Sequence, residues 1–547
     1  MKLADIIKNI QIPFYSDFNK NIKKPFYLTL RNKTFFKVFN ILISLYINYV
    51  FYLAYSPLFT SKWADIGVIC VALCFLIITY NFIVYLSYKL RNCNLSIYES
   101  KKKLNKKTLL VYSVPCLLIL ILSLCANFPG LKSPDIIKQW QQVESFAFND
   151  WHPPMHTFII WLVTRINERY VFFMFFQILL FSVGVGYLIA TLESWGFRKK
   201  VLIITYCVII LNPYTINIMM YAWKDCFLTI LLVYASSMLV DIYLSEGKWL
   251  LKVKNIIFFS IVVGLASLVR HNGIFFTIPL LLLLLINYRK NGVKIYITVL
   301  SVVLVIFLIK VPLYSALKVK HIPNTYSESV GIPMNILNEI LLKKPDALSP
   351  ETKDMLYKMA PEEKWRARYR PGDFNNIKFA SNFQEEIKNV PPKDFFKMVF
   401  DAIGSARREA FIAFRNVTQI VWSVSGDISI VRPRAYEPIE KNIEKILCLG
   451  FNLYTDFIVR FPVLSSILTK TGCSILALLI VGIISFNRKG FKLFLLILPS
   501  LAYNFGTMLL LCTADDIRFF HFNVVITLPL ILLLLSDRNK LKEKQPE

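Results

Sequence analysis

The sequence predicts an all-α membrane protein, a polytopic bundle of about 12 transmembrane helices with a helical domain on its outer face. Of its 547 residues, 56% are hydrophobic and 18% are charged, and the mean hydropathy is +0.52. Soluble chains carry about 25% charged residues. Many apolar runs here have the roughly 20 residues that cross a bilayer. The composition therefore excludes a soluble enzyme and an extracellular disulfide scaffold.

The hydropathy pattern predicts where the chain crosses the membrane. The first 38 residues are polar and basic, contain Pro13 and Pro25, and carry no cleavable signal pattern, so we expect a cytosolic N-terminal tail. The two shortest apolar segments are separated only by Arg270-His-Asn272, which predicts a tight turn at one membrane face. The predicted crossings are 39–57, 66–87, 108–126, 171–190, 201–219, 226–245, 255–270, 272–287, 294–312, 463–486, 491–512 and 519–536.

The distribution of Lys and Arg predicts the orientation. With a cytosolic N-terminus, seven segments lie inside, each with at least three basic residues and 31 in all, whereas the short outer connections hold 8. Cytoplasmic loops of membrane proteins carry this excess of positive charge. We therefore expect a multi-pass cell-membrane protein with both termini cytoplasmic. The net charge of +28 is mainly this orientation signal, and no nucleic-acid partner is expected.

The chain divides into four predicted parts. Residues 1–107 form the cytosolic tail and two added transmembrane helices, and residues 108–312 form a transmembrane core with an outer loop at 127–170. Residues 313–462 are long enough for an extracytoplasmic domain, and residues 463–547 supply three C-terminal transmembrane helices and a basic cytosolic tail. Within the domain, residues 394–424 alternate apolar and charged positions, which suggests a helix lying on the membrane face.

The outer loop carries the least ordinary stretch of the sequence. In Ser133-Pro-Asp135, serine suits a helix cap, proline suits the first turn, and the carboxylate sits beside the positive end of the helix. The prolines of Asp150-Trp-His-Pro-Pro154 predict an extended corner, followed by a second amphipathic helix at about 155–168. Two helices bracketing this corner would hold two carboxylates and two imidazoles at the outer face: Asp135, Asp150, His152 and His156.

Three further polar clusters fall on the same predicted side. They are Tyr221-Ala-Trp-Lys-Asp225, Arg270-His-Asn-Gly273 and Asp515-Asp-Ile-Arg518. Charged groups at membrane depth cost a few kcal/mol unless they are paired or solvated, so they usually mark function. Together with the outer loop, these clusters predict one polar site on the outer face.

These motifs resemble the GT-C superfamily of integral-membrane glycosyltransferases, which includes the protein O-mannosyltransferases and the lipid A aminoarabinose transferase. The segment from Asp135 to Asp150-Trp-His-Pro-Pro, Trp223-Lys-Asp225 and Arg270-His-Asn-Gly273 also look like an uncharacterised bacterial group placed near that superfamily. The resemblance covers roughly residues 109–286 and the last span. It leaves the first two spans as an addition ahead of a GT-C-like core.

The resemblance implies an enzyme that moves a sugar, with inversion, from a polyprenyl-phosphate donor to an envelope glycan, glycolipid or protein acceptor outside the cell membrane. Asp135 or Asp150 would be the catalytic base, and Asp135 matches the early-loop acid of the superfamily better. Cationic side chains would hold the departing phosphate. The implied substrate- and phosphate-binding residues are His152, His156, Lys224, Asp225, Arg270, His271, Asn272 and Arg518.

No cofactor is certain from the sequence, and a divalent cation, Mg²⁺ or Mn²⁺, is a possible one. Its candidate ligands are Asp135, Asp150 and His152, although the loop lacks an Asp-x-Asp pair. The ten cysteines form no CxxC pair and no Cys/His metal spacing.

Simpler interpretations remain open at this stage. Asp135 can be a helix-end charge, Asp150 a turn residue, and Lys224-Asp225 a self-neutralising pair. Two other functions also fit twelve spans: a transporter or flippase for a lipid-linked or polysaccharide substrate, and a non-catalytic envelope assembly protein. The sequence shows no repeat of its two halves, and its polar residues crowd the outer ends of the spans, which favours the enzyme over the carrier.

Overall fold

The computed structural model describes residues 30–55, 62–90, 95–97, 102, 104–322, 329–424, 442–511 and 516–538. Residues 1–29 of the predicted N-terminal tail and residues 539–547 of the predicted C-terminal tail lie outside the described residues, as does Asp515.

The described chain is helical apart from one pair of three-residue strands. In the first part the helices are α1 (Leu30–Tyr55), α2 (Lys62–Leu90), α3 (Lys106–Ala126), α4 (Pro134–Ser145), α5 (Pro154–Thr164), α6 (Tyr170–Ser194), α7 (Lys199–Ile210), α8 (Pro213–Ile218), α9 (Lys224–Leu244), α10 (Val253–Val269), α11 (Ile274–Tyr288) and α12 (Val293–Leu308). They are followed by α13 (Gly331–Lys343), α14 (Pro350–Met359), α15 (Glu362–Arg368), α16 (Pro392–Ser405), α17 (Arg407–Trp422), α18 (Asn442–Val459), α19 (Pro462–Thr469), α20 (Thr471–Lys489), α21 (Leu498–Leu511) and α22 (Phe522–Leu535). The strands are β1 (Leu95–Ile97) and β2 (Ser536–Arg538), and shorter helical turns lie between several helices.

The predicted membrane helical bundle is confirmed in outline. Within the described residues, seven helices are long and apolar enough to span a membrane: Lys106–Ala126, Tyr170–Ser194, Lys224–Leu244, His271–Asn291, Val293–Ala316, Phe491–Leu510 and Ile517–Leu535. Shorter apolar helical stretches of 10–17 residues include Lys37–Tyr52, Val71–Ser87, Val253–Val269 and Thr471–Asn487. The count of twelve crossings stays a prediction.

Two predicted crossings are not single helices. The segment 201–219 breaks between α7 and α8, where Pro213 lacks a backbone N–H and the Asn212 side chain accepts hydrogen bonds from Tyr214 N and Thr215 N. The segment 463–486 divides at Lys470 into α19 and α20. Helices α18 and α19 meet at a bend of 109°, as a broken span or a re-entrant loop does.

One hydrophobic core runs through the bundle around α9. This helix packs against α6, α10 and α22, and 89% of its apolar window is buried. Helix α12 lies at the periphery, because only 17% of its window is buried and it packs mainly on α10. Most of its apolar surface therefore faces outward from the bundle, as expected of a helix in contact with lipid.

The polar segments meet at two opposite ends of the spanning helices. At one end, β1 pairs with β2, Lys102 N donates to Ser194 O, and Asn291 Nδ2 donates to Glu246 O. These contacts join segments that the Lys and Arg pattern assigns to the same side. At the other end, Leu131 N donates to Met220 O, and Asp135 pairs with Arg518, which joins the segments predicted to form the polar site.

Helices α13 to α17 build a second hydrophobic core within the predicted domain at 313–462. This core is formed by residues between Val330 and Ala413, and Trp365 is fully buried in it. The segment 394–424 is two helices, α16 and α17, separated at Ala406. Helix α17 then packs against α20, and its last residues, Val421 and Trp422, join the core of the bundle. The domain is thereby attached to the membrane helices.

Candidate functional site

Helix α4 begins as its sequence predicts. Pro134 occupies the first turn, and Ser133 Oγ accepts the backbone N–H of Ile136 at 3.5 Å. The same oxygen accepts the indole N–H of Trp223 at 2.7 Å. Trp223 directly precedes α9, so this bond fixes the start of α4 against the start of α9. Asp135 lies in the first turn of α4 and Lys224 is the first residue of α9, so the same bond keeps these two side chains close together.

Asp135 lies at the edge of a group of charged side chains. Its Oδ2 is 3.5 Å from Lys224 Nζ and 3.8 Å from Arg518 Nη1. The Arg518 Nε is in turn 2.7 Å from Asp516 Oδ2. The side chain of Asp135 is 35% exposed, whereas that of Lys224 is 16% exposed. The carboxylate is thus within reach of a ligand, and the ammonium sits behind it.

The neighbouring cations control the ionisation of Asp135. Burial opposes ionisation of this carboxyl, but the positive charges of Lys224 and Arg518 outweigh burial and lower its pKa. Asp135 is therefore an anion at neutral pH.

His152 stands beside the same lysine. Its Nδ1 is 3.1 Å from Lys224 Nζ, and burial together with the positive charge of Lys224 lowers its pKa to about 3. His152 is therefore neutral at pH 7, and its Nδ1 accepts a hydrogen bond from the ammonium. The proton of the neutral ring consequently sits on Nε2, which is buried and has no hydrogen-bond partner among the described residues.

Asp225 and Arg270 form the deepest ion pair of the group. The side chains are only 2% and 11% exposed. Although Lys224 and Asp225 are adjacent, they do not neutralise each other, because successive residues of a helix point about 100° apart. The ring of Phe519 lies 4.0 Å from the Arg270 guanidinium and 5.0 Å from that of Arg518. We call the whole set the Asp135 cluster, defined as Asp135, His152, Lys224, Asp225, Arg270, Asp516 and Arg518.

Two of the predicted binding residues serve packing in the structure. His156 is fully buried, its Nδ1 is 3.3 Å from Gln139 Oε1, and its ring contacts Phe173 and Phe227. Asn272 is also fully buried, and its Nδ2 donates to Tyr503 OH at 3.0 Å and to Thr507 Oγ1 at 2.9 Å. His156 holds α5 against α4, and Asn272 holds the turn before α11 against α21.

Asp150 lies outside the Asp135 cluster. Its Oδ1 accepts the backbone N–H of Ile322 at 2.7 Å, and its Oδ2 is 2.5 Å from His321 Nδ1. Its own N–H donates to Lys320 O, and Lys320 N donates to Phe148 O. Burial opposes ionisation of this carboxyl, but the bonds from Ile322 and His321 outweigh burial and lower its pKa. The two predicted candidate bases therefore have different surroundings.

Asp150 instead lines a cavity of about 490 Å³ between the corner at 150–154, the end of α10 and the residues after α12. His271 and Lys310 also face this cavity, which we call the Lys310 cavity. Lys310 belongs to a five-residue π-helical turn, Ile309–Leu313, that continues α12. His271 is within electrostatic range of Lys310 and Asp150 and also of Lys224 and Arg270, so the cavity adjoins the Asp135 cluster.

The divalent cation considered from the sequence stays a prediction. Among the described residues, no group of three or more His, Cys, Asp or Glu side chains lies close enough to hold a metal. Asp135 is engaged by two cations, His152 by Lys224, and Asp150 by His321.

Sequence reasoning missed three residues that the fold brings to this end. His321 meets Asp150 across 171 positions, and His521 is buried with its Nε2 3.1 Å from Thr215 Oγ1. Lys310 is the third. Its signal was visible, because it interrupts the apolar run from Val302 to Val311.

Comparison with protein families identifies the family to which the chain belongs. A family model matches residues 43–388, which is more than half of the sequence. The chain belongs to this family of unknown function, DUF6020. The DUF6020 match contains Asp135, Lys224, Arg270 and Lys310, whereas Arg518 lies beyond it. No curated protein and no solved structure matches the chain.

Proposed function

We propose that this DUF6020 protein is a membrane glycosyltransferase that moves a sugar from a polyprenyl-phosphate donor to an envelope acceptor on the extracytoplasmic face, with inversion. The observation that carries the proposal is Asp135, an ionised and accessible carboxylate held next to the cations Lys224 and Arg518. Sugar transfer from a phosphate carrier needs both a proton acceptor and positive charge at the leaving group.

In the proposed reaction, the Asp135 carboxylate accepts the proton of the acceptor hydroxyl as its oxygen bonds to the anomeric carbon. The bond from that carbon to the phosphate oxygen breaks, and its electron pair stays on the phosphate. Lys224 and Arg518 stabilise the charge that develops there, Arg518 as a fork of donors and Lys224 as a point charge. When these cations turn toward the phosphate, Asp135 loses partners that lower its pKa, so it becomes a better base only with donor bound.

Two neighbouring features support the same assignment. Asp373, in the domain built by α13 to α17, is close enough to Asp516 for their charges to interact. The domain therefore reaches the Asp135 cluster and can shape the acceptor side. Tyr221 and Trp223 stack with ring centroids 4.0 Å apart beside Arg518, which provides an aromatic wall for the site.

The test uses the full chain in lipid nanodiscs with a polyprenyl-phosphate-linked sugar, and it measures release of polyprenyl phosphate. We expect Asp135→Asn to lower kcat by about 100-fold or more, the usual contribution of a general base. Glu144→Gln is the matched control, because Glu144 is exposed on the same helix, and its rate should stay within about twofold. Transport of the lipid-linked sugar without transfer, or full activity of Asp135→Asn, would overturn the proposal.

A further inference from the structure

The cations at this end of the bundle differ in their partners. Lys224, Arg270 and Arg518 each have a carboxylate, namely Asp135, Asp225 and Asp516. Lys310 makes no ion pair in the described part of the chain, and the carboxylate that shares its cavity, Asp150, is bonded to His321 and Ile322. Lys310 therefore brings an uncompensated positive charge to the wall of the cavity.

The position of Lys310 is unusual for a membrane anchor. It lies on the peripheral span Val293–Ala316, next to Pro312, in a π-helical turn. Such turns are rare and frequently occur at functional sites. A lysine that only anchors a helix extends into the surrounding water. Lys310 is exposed, but it also lines a cavity of about 490 Å³ with His271 on its wall.

Hydroxyl groups complete the polar lining of the cavity. Tyr314 and Ser315 lie on its wall beside Lys310 and His271, whereas the third hydroxyl of the wall, Ser267, already donates to Thr277. An ammonium, an imidazole and hydroxyls are donors that suit phosphate oxygens. On the same span, an apolar surface leads away from Lys310: Val303, Leu304, Phe307 and Leu308 are each about half exposed. An anionic headgroup and an apolar chain thus find adjoining surfaces.

We propose that the Lys310 cavity binds the phosphate headgroup of a membrane lipid whose apolar chain lies along α12. The ammonium of Lys310 contacts the phosphate, and His271 lines the same cavity within electrostatic range of Lys224 and Arg270. The proposal rests on the proposed function in one respect, since the lipid phosphate is then the sugar carrier before or after transfer. The binding itself requires no turnover.

The test measures binding to the full chain in detergent by native mass spectrometry. The probes are a polyprenyl monophosphate, the same polyprenol without phosphate, and inorganic phosphate. We expect the polyprenyl phosphate to bind at least about tenfold more tightly than the polyprenol, because a charge-assisted hydrogen bond is lost without the phosphate. Inorganic phosphate should compete only weakly, since it lacks the apolar chain. If it binds as tightly as the lipid, the site is one for a free anion and the lipid assignment is wrong.

Substitutions locate the binding. Lys310→Gln should weaken polyprenyl phosphate binding about tenfold or more, and Lys310→Arg should retain it. Lys318→Gln is the matched control, because Lys318 is exposed nearby but does not line the cavity. An unchanged affinity in Lys310→Gln overturns the inference, as does an equal loss in Lys318→Gln.

The same assay separates this inference from the proposed function. Asp135→Asn should bind the lipid phosphate while failing to transfer sugar. If the wild-type chain binds the lipid phosphate through Lys310 but never transfers sugar, the lipid site is supported and the glycosyltransferase proposal is wrong. If sugar transfer depends on Asp135 but Lys310→Gln has normal affinity for the lipid phosphate and normal kcat/KM, the lipid site is wrong and the glycosyltransferase proposal is supported.

Discussion

The Asp135 cluster and the Lys310 cavity are neighbouring polar regions that differ in whether their cationic side chains have a carboxylate partner. In the cluster, three cations are paired with three carboxylates, and Phe519 packs against two of the guanidinium groups. In the cavity, Lys310 has no ion pair in the described part of the chain. Removing one partner of a buried ion pair leaves the other charge uncompensated and destabilises the fold, whereas removing an unpaired, accessible charge leaves no such charge behind.

The largest expected effect comes from breaking the deepest pair of the cluster. Arg270→Leu leaves the 2%-exposed Asp225 carboxylate unpaired. Removing one partner of a buried pair costs about 3–5 kcal/mol of unfolding free energy. Thermal unfolding of the detergent-solubilised chain, followed by tryptophan fluorescence, measures the loss.

The double variant Asp225→Leu/Arg270→Leu is the control for this experiment. Because it removes both charges together, it should recover most of the lost stability. A double variant as unstable as Arg270→Leu alone would show that packing of the arginine, rather than its charge, stabilises the cluster.

A smaller effect should follow from acidification. The pKa of His152 is about 3 in the folded chain and about 6.5 when unfolded, so only the unfolded chain takes up the proton as pH falls through 6.5. The stability due to neutral His152 is complete above pH 6.5 and declines below it, by about 2 kcal/mol at pH 5. The melting temperature measured from pH 8 to pH 5 follows this decline.

His152→Asn isolates the contribution of this residue. Asparagine supplies an oxygen that can accept the Lys224 proton, and it does not titrate. The variant should therefore lose less stability between pH 7 and pH 5 than the wild type. Parallel curves for the two proteins would mean that other groups cause the acid sensitivity.

The smallest effect is expected at Lys310. Because this lysine lacks an ion pair in the described chain, Lys310→Gln should change the unfolding free energy by less than about 0.5 kcal/mol. The same thermal scans measure it beside Arg270→Leu. A loss of several kcal/mol would show that Lys310 stabilises the fold and would erase the contrast between the two regions.

Local signals in the sequence predicted much of the site. Ser133 and Pro134 mark the start of α4, and the structure has the cap and the first turn where they predict them. The residues Asp135, Lys224, Arg270 and Arg518 were expected on one face, and the structure brings them together. The cap could be predicted because capping depends on residues that are neighbours in the chain. The grouping could be predicted because successive apolar runs place their connections at alternate ends of the bundle.

Contacts between distant segments were beyond such reasoning. The partner of Asp150 is His321, brought there by a backbone bridge between Asn149 and Lys320 that no periodicity encodes. The separate partners of Lys224 and Asp225 depend on how α9 is rotated in the bundle. Asn212 and Pro213 signal the break between α7 and α8, but because the residues on both sides are apolar, the whole segment 201–219 was predicted as one crossing.

The pairing of β1 with β2 has a consequence for how the chain assembles. Leu95 lies opposite Ser536, so a contact of the N-terminal helices depends on residues made more than 400 positions later. Helix α2 likewise packs on α20. During synthesis, α2 is therefore made long before α20, and a ribosome that stalls before residue 471 leaves α2 without this partner.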